Sequence, residues 1–515
     1  MRIFDTYVQK LKYKVLTELA RQTWVGNDAF SVFNDIANQV VKKGEPTMSC
    51  CIYKDRAIVA ERIRIALGGK KEDHNVIQVI DIACDECPVA GHVVTDLCRG
   101  CVAHACVDAC KLGAITVDSH QKAEIDKSKC VECGKCAKSC PYSAIANFKR
   151  PCEKACKVDA ISMAPDGVAQ IDSEKCIECG ACVYKCPFGA TLDVSSITDI
   201  IKTIVDSDNN KNYHVHAIVA PAIAGQFQYA KAGQLISAIR ELGFYAVEEV
   251  ALGADIVAYK EAQELQEKGF LTSSCCPAFV KYIKMKFPQL AEHISHNLSP
   301  MAETGKLIKE QDPDAKIVFI GPCTAKKGEV RKPEVHQYVD YVMTFEELQA
   351  MIDSKDIAVD QLPETELDTA TYYGRVFART GGLSEAVTEA VREQKAAAEA
   401  AKADAPDGAG ASGAVASGEA GASGKPENGD GACDGDSADS KPFVFDPIVC
   451  DGIDSCKTAL LRASKGLLPN NFIEGMVCTD GCIGGAACLS HGNADKRAID
   501  NYGKKATHKE IRDVL

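Results

Sequence analysis

Through the first eighty residues apolar side chains recur every three or four positions: Tyr7, Leu11, Val15, Leu16 and Leu19, then Phe30, Phe33, Ile36 and Val40. That period belongs to amphipathic helices, and Pro46 interrupts it. A further amphipathic run over 58–67 stops at Gly68-Gly69, a pair that ends helices. Residues 1–80 therefore predict a small helical N-terminal domain. Beyond Thr191 the pattern changes. Short apolar runs at 215–219 and 317–320 alternate with helical stretches at 235–242 and 254–266. Strands alternating with helices predict an α/β domain over 193–515. Residues 81–192 follow neither period.

Within the α/β region, about 396–440 consists mostly of Ala, Gly, Ser, Asp and Glu. Such a segment cannot bury enough apolar area to offset the entropy of ordering, so a disordered insertion in a surface loop is expected. Between Ala396 and Lys441 there are nine acids against three lysines, an excess of six, out of a net charge of −13 for the chain. The remainder is only mildly acidic, which makes nucleic acid an unfavourable partner. No apolar run is long enough to span a membrane. The N-terminal stretch Met1-Arg2-Ile3-Phe4-Asp5 lacks the apolar core of a secretory signal, so a cytoplasmic location is expected.

Cysteine changes the picture most. There are 27 in 515 residues. An odd, large count without a signal peptide argues for metal-bound thiolates, not disulfides. Sixteen fall between Cys84 and Cys186, within an internal repeat: Cys130-x2-Cys133-x2-Cys136-x3-Cys140-Pro141 matches Cys176-x2-Cys179-x2-Cys182-x3-Cys186-Pro187. In this spacing, which looks like ferredoxin, three thiolates bind one [4Fe–4S] cube and the fourth reaches a second. Upstream lies a widened copy, Cys98, Cys101, Cys106 and Cys110. Crossing the fourth ligands gives one set from Cys98, Cys101, Cys106 and Cys140, and another from Cys130, Cys133, Cys136 and Cys110. A third combines Cys176, Cys179, Cys182 and Cys156. Cys84, Cys87, Cys152 and Cys186 remain for a fourth, if the fold returns the first two to the repeat. Zinc sites space their Cys pairs more widely than four cysteines in eleven residues followed by Pro. His104, in the widened gap, reads as a neighbour of the cluster more than a ligand; Cys50-Cys51 reads as structural and Cys433 as inert.

Three later stretches place cysteines on Gly/Pro turns: Thr272-Ser273-Ser274-Cys275-Cys276-Pro277, Gly321-Pro322-Cys323-Thr324-Ala325-Lys326-Lys327 and Glu474-Gly475-Met476-Val477-Cys478-Thr479-Asp480-Gly481-Cys482. In this order they resemble the signature of [FeFe]-hydrogenases over roughly 195–495. The resemblance implies a C-terminal α/β iron hydrogenase domain behind a ferredoxin-like region, an α+β and α/β multidomain fold overall. It further implies that Cys276, Cys323, Cys478 and Cys482 hold the H-cluster, a [4Fe–4S] cube linked to a two-iron unit with CO and CN ligands, with Cys482 bridging. Pro221 and Met476 would line it. Lys326 would anchor a cyanide, because an anionic acceptor favours a nearby cation. Cys275, Glu261, Ser299 and Glu264 would relay protons outward; Glu261 and Glu264, three apart on a predicted helix, share a face. Gly484-Gly485 would let the backbone approach the cofactor.

The activity so implied is reversible H2 formation from protons and reduced ferredoxin or a similar small carrier, in an anaerobic setting, with three or four accessory clusters and hydrogenase maturation enzymes as further partners. Departures from the common pattern resemble a divergent subgroup often called group B: Gly321 before Pro322, Ala278-Phe279 after Pro277, Thr479-Asp480, Gly484-Gly485-Ala486-Ala487, and Ala222. They alter the surroundings of the cofactor, which tune potential and access. Two other classes remain open. One is a low-turnover hydrogen sensor, which would usually carry an added regulatory module. The other is an iron–sulfur assembly protein lacking the two-iron unit.

Overall fold

The computed structural model describes residues 4–27, 31–44, 47–70, 73–85, 87–88, 90–403 and 443–515. Phe30, Pro46, Cys433 and most of the expected insertion lie outside the described residues. The expected insertion begins too early, however: the helix Gly382–Ala403 extends into it.

The N-terminal region is helical: α1 (Tyr7–Trp24), α2 (Phe33–Val40) and α3 (Ile52–Ala66). Thr6 starts α1 with a reciprocal cap, its hydroxyl accepting from Gln9 N and its N–H donating to Gln9 Oε1, both at 3.1 Å. These helices close no core of their own. Val15, Leu16, Leu19, Ile36, Val59 and Ile63 are buried in one cluster with Ile200, Val215 and Leu348 of the α/β region. Burying that stripe on the larger body removes more apolar surface from water than three short helices could among themselves. A buried charge network also joins the regions. Lys12 Nζ contacts Asp193 Oδ1 at 2.5 Å and Glu346 Oε2 at 2.6 Å. Lys327 Nζ contacts Asp193 Oδ2 at 2.7 Å and Glu347 Oε1 at 2.8 Å. Burial opposes the charges, but the paired ammoniums hold Asp193 far below the usual carboxylate range.

Residues 81–192 form short hairpins and one-turn helices. The antiparallel pair Ile77–Val79 and Thr191–Asp193 closes the base, so the chain enters and leaves at one place. Inside, Ile115–Val117 pairs with Ala123–Ile125, and Ile161–Met163 with Ala169–Ile171, as the internal repeat implies. The repeat reaches the backbone: Glu132 and Glu178 have φ of 54° and 61°, and Gly134 and Gly180 of 72° and 73°.

The α/β region holds two parallel sheets. Its strands are β1 (Val215–Val219), β2 (Ala246–Glu249), β3 (Leu271–Thr272), β4 (Lys316–Gly321), β5 (Tyr341–Thr344), β6 (Pro447–Asp451) and β7 (Phe472–Met476), in orders β2-β1-β4-β5 and β3-β7-β6. The helices that matter for the site are α4 (Val250–Lys268), α5 (Pro277–Lys286) and α6 (Pro300–Gln311). Pro221, Cys276, Cys323 and Cys478 all follow the carboxyl ends of strands, where open α/β sheets present their sites. Among the described residues no helix is long and apolar enough to cross a membrane.

Candidate functional site

Thiols of the expected sets in the ferredoxin-like region neighbour one another, with Cys98 packed in one small cluster with Cys106. Besides burial, the neighbouring Cys140 and Cys101 thiols push Cys106 up, as Cys130 and Cys133 do for Cys136. Cys110, Cys130, Cys133 and Cys136 line one cavity of about 230 Å³. Burial, then Cys179, Cys176 and Cys156, drive Cys182 well above the usual thiol range. In the fourth group burial, then Cys186 and Cys84, raise Cys152 to about 11, and burial raises Cys87, with Arg150 opposing and Cys84 and Cys186 adding. Arg150, 4% exposed, brings the Cys84–Cys87 loop back by donating to Pro88 O at 3.1 Å, Cys87 O at 3.2 Å and Gly167 O at 2.6 Å. Backbone N–H groups donate to Cys84, Cys110, Cys156, Cys176 and Cys186 Sγ at 3.2–3.4 Å. Donors aimed at sulfur favour thiolate and tune cluster potential. His104 has a buried Nε2 without a hydrogen-bond partner, beside the first set.

Deeper in the molecule, the three signature stretches converge. Cys276 sits at the N-terminus of α5, Cys323 two residues beyond β4, and Cys478 and Cys482 on the turn after β7. Burial raises Cys323 to about 11 and Cys482 to about 12; for both, Cys276 adds to the effect and Lys326 opposes it. Cys478 responds to Cys323, Cys276, Cys179 and Cys482. Four half-buried cysteines this close together would repel one another as free thiolates, and they suit a metal group whose positive charge stabilises the thiolate form. The donor set fits an iron–sulfur cube. Cys179 interacts with both Cys276 and Cys478, so the third accessory set lies directly beside the quartet.

Close backbone approach holds these turns. Gly484 and Gly485 each lie against a backbone carbonyl. A Cβ at Gly484 would stand 1.9 Å from Thr479 O, and one at Gly485 2.4 Å from Pro322 O. Their small size serves chain-to-chain packing of the second and third stretches. Phe279 is fully buried against Gly475, whose Cβ would stand 2.2 Å from the ring. Thr324 Oγ1 donates to Glu178 O at 2.7 Å, and Lys281 pairs with Glu178 at 3.1 Å, pinning the third accessory loop to the quartet. Pro221 and Met476 are buried nearby.

Lys326 is 7% exposed, with Nζ 3.4 Å from Cys275 O and 2.6 Å from Glu329 Oε2, the latter without hydrogen-bond alignment. Burial disfavours its charge, but Glu329 and the Cys323 and Cys275 thiols hold its pKa above the usual lysine range. Cys275 is buried, and burial with Glu261 keeps it protonated. Glu261 is completely buried. Desolvation lifts it to about 7, Ser274 N–H donates to its Oε1 at 3.2 Å, and Oε2 has no partner. One helical turn on, burial is outweighed at Glu264 by Lys268 (2.7 Å) and His296 (2.7 Å), which hold it below the usual range.

The hydroxyl between these carboxylates is Ser295, not Ser299. Ser295 Oγ donates to Glu264 Oε2 at 3.1 Å and helps hold Glu261 down against its burial. Ser299 precedes Pro300 at the start of α6, and its buried hydroxyl has no partner. The long-range contact of Ser295 N with Thr272 O at 2.9 Å carries Ser295 to the α4 glutamates, a tertiary placement with no local signature in sequence.

Comparisons with known proteins agree with this geometry. The 4Fe-4S dicluster domain family matches 97–144 and 150–190. The family described as iron only hydrogenase large subunit, C-terminal domain, matches 213–486, more than half of the chain. This chain belongs to that iron-only hydrogenase family. Iron hydrogenase 1 of Clostridium pasteurianum is 30% identical over 308 residues, covering 54% of this chain and 52% of that protein. The periplasmic [Fe] hydrogenase large subunit of Nitratidesulfovibrio vulgaris is 31% identical over 178 residues, 30% and 42% of the two chains. Cytosolic Fe-S cluster assembly factor NAR1 of Kluyveromyces lactis is 37% identical over 95 residues, 18% and 20%. This iron-only hydrogenase family member thus spans about half or less of each relative's length.

Proposed function

We propose that this chain interconverts H2 with protons and electrons at a centre held by Cys276, Cys323, Cys478 and Cys482, fed by four [4Fe–4S] clusters in the ferredoxin-like region. The observation that carries this reading is the position of the half-buried quartet, between an accessory thiol set at Cys179 and a file of proton-holding groups starting at Cys275. When bound, the six-iron group would supply the redox chemistry and the metal position at which H2 reacts. Cys482 would bridge its two parts. The Lys326 ammonium, buried and charged, would hydrogen-bond an anionic cyanide ligand.

The protein groups account for the proton. Cys275 holds it as a thiol at neutral pH, Glu261 can take or release it near pH 7, and Ser295 passes it to ionised Glu264. Glu264 ends the file beside His296, whose side chain is 73% exposed. The order runs from groups that hold protons tightly to one that stays ionised beside an exposed imidazole. On the other side, Val102, Leu112 and Val131 are exposed around the first two accessory sets, a face suited to a ferredoxin-like carrier. Maturation enzymes would build the two-iron unit. The altered residues around the centre fit a divergent, group B-like member.

A second reading asks less of the chain: a low-turnover hydrogen sensor, or an assembly protein carrying cubes alone. The likeness to the NAR1 assembly factor favours the assembly protein of these two. Infrared spectra of anaerobically matured protein, with H2-dependent dye reduction, separate the readings. CO and CN− stretches with rapid turnover support the hydrogenase. Bands with little turnover favour the sensor, and full iron content without bands the assembly protein.

A further inference from the structure

At the amino end of β1, opposite the strand end that leads to Pro221, three potential metal ligands meet: His214, His216 and Asp312. Their ligand atoms all lie within 4.8 Å of one another. They come from two parts of the chain: His214 precedes β1 and His216 lies within it, while Asp312 caps the carboxyl end of α6. The length of β1, about 16 Å at a rise of ~3.3 Å per residue, separates them from the cysteine end of the sheet.

The arrangement is prepared in detail. His216 is 7% exposed, and its Nδ1 lies 2.8 Å from Glu248 Oε1 on the adjoining strand β2. A carboxylate there draws the ring proton to Nδ1 and leaves Nε2 as a lone-pair donor, the arrangement by which proteins orient metal-binding histidines. Nε2 is buried with no hydrogen-bond partner and lies 3.9 Å from Asp312 Oδ2. His214 Nδ1 is 2.7 Å from the same Asp312 oxygen, and its ring stacks on Tyr245 with centroids 3.8 Å apart. Backbone bonds fix the platform, Lys316 N to His214 O and Tyr245 N to Val215 O, both at 2.8 Å.

We propose that His214, His216 and Asp312 bind one divalent cation of the zinc class, with Glu248 orienting His216. Two imidazoles and a carboxylate suit zinc, whose bonds of about 2.0–2.2 Å put ligand atoms roughly 3.3 Å apart. The present separations bracket that value. His214 and Asp312 are partly open to solvent (39% and 29%), which leaves an entry path and a fourth position for water. A cation here would tie β1, β2 and α6 together far from the iron–sulfur chemistry, so the inference stands apart from the proposed activity.

The test uses full-length protein with its iron in place, incubated with zinc sulfate, desalted, and measured for metal content and zinc K-edge X-ray absorption. About one zinc per chain should be retained, with a nitrogen/oxygen shell near 2.0–2.1 Å and none of the sulfur shell expected near 2.3 Å. His216→Ala should lower retention at least tenfold, and Asp312→Asn, which keeps the side-chain size, should also lose it. Glu248→Gln should weaken binding about 10–100-fold. Should His216→Ala fold poorly, seen as lost iron, Asp312→Asn decides alone. Zinc bound through sulfur, no retained zinc, or retention unchanged in the folded variants would overturn the proposal.

Discussion

The two halves of the ferredoxin-like region share a repeat but differ in how they are held. The outer half, around Cys98–Cys140, has a small core of its own built on Ile115, Ala123 and Ile145 with Cys106 and Cys136. Cys133 is exposed there. The inner half, around Cys152–Cys186, has none. Val158, Ala160 and Ile177 are buried with Phe279 and Ile283 of α5, while Cys152 and Cys182 share a cluster with Ile58 and Ile65 of α3. One sequence pattern therefore carries a small core of its own in one copy and packs into the α/β body and α3 in the other. Spacing defines the thiol sets, whereas the apolar residues between them decide what each set is attached to.

The largest expected effect lies beyond the inner half, at the buried end of the electron path. Cys275→Ala should reduce H2 turnover by about 10²–10⁴-fold, the scale of a lost proton-transfer group, with iron content and infrared bands unchanged. A variant that loses iron as well would show that Cys275 holds the site together. Next comes the contrast itself. Cys179→Ser should cost several kcal/mol of stability and the iron of one cube, lowering Tm by roughly 10 °C, because a buried metal site contributes directly to folding. Cys133→Ser should lower Tm by under about 3 °C and slow only carrier-dependent electron delivery. Equal losses would mean the outer half is not a separate module.

A third expectation concerns pH. Burial raises Glu261 to about 7 from an ordinary 4.5. Below about pH 4.5 the carboxyl is protonated whether folded or not and has no effect. Between the two values the unfolded chain releases its proton first, so stability falls as pH rises, by about 3 kcal/mol in full. Glu261→Gln should remove that slope, and its Tm advantage over the natural protein should grow from pH 5 to pH 7.5. An unchanged slope would place the buried charge elsewhere. The smallest effect separates two serines: Ser295→Ala should slow turnover about tenfold, and Ser299→Ala should leave it within twofold.

Much of this was legible from local pattern. Cysteine spacing indicates the thiol sets but leaves the return of Cys84 and Cys87 to the fold, and the alternation after Thr191 indicates the α/β domain. What escaped was set by distant contacts. Nothing near residue 295 marks it as the partner of Glu264, because a bridge to β3 places it there. The amphipathic stripe of α1 announces a buried face but not its partner, and only the fold shows that partner to be the α/β body. The glycines at 484 and 485 signal close approach without saying to what.

The account stands on iron bound by the quartet that joins β4, β7 and α5. An anomalous difference map at the iron edge, from crystals of the matured full-length chain grown without oxygen, would look at that point directly. The account expects iron density enclosed by Cys276, Cys323, Cys478 and Cys482, adjoining a separate peak at Cys176, Cys179, Cys182 and Cys156. Iron at the four accessory sets with none among the quartet would contradict it.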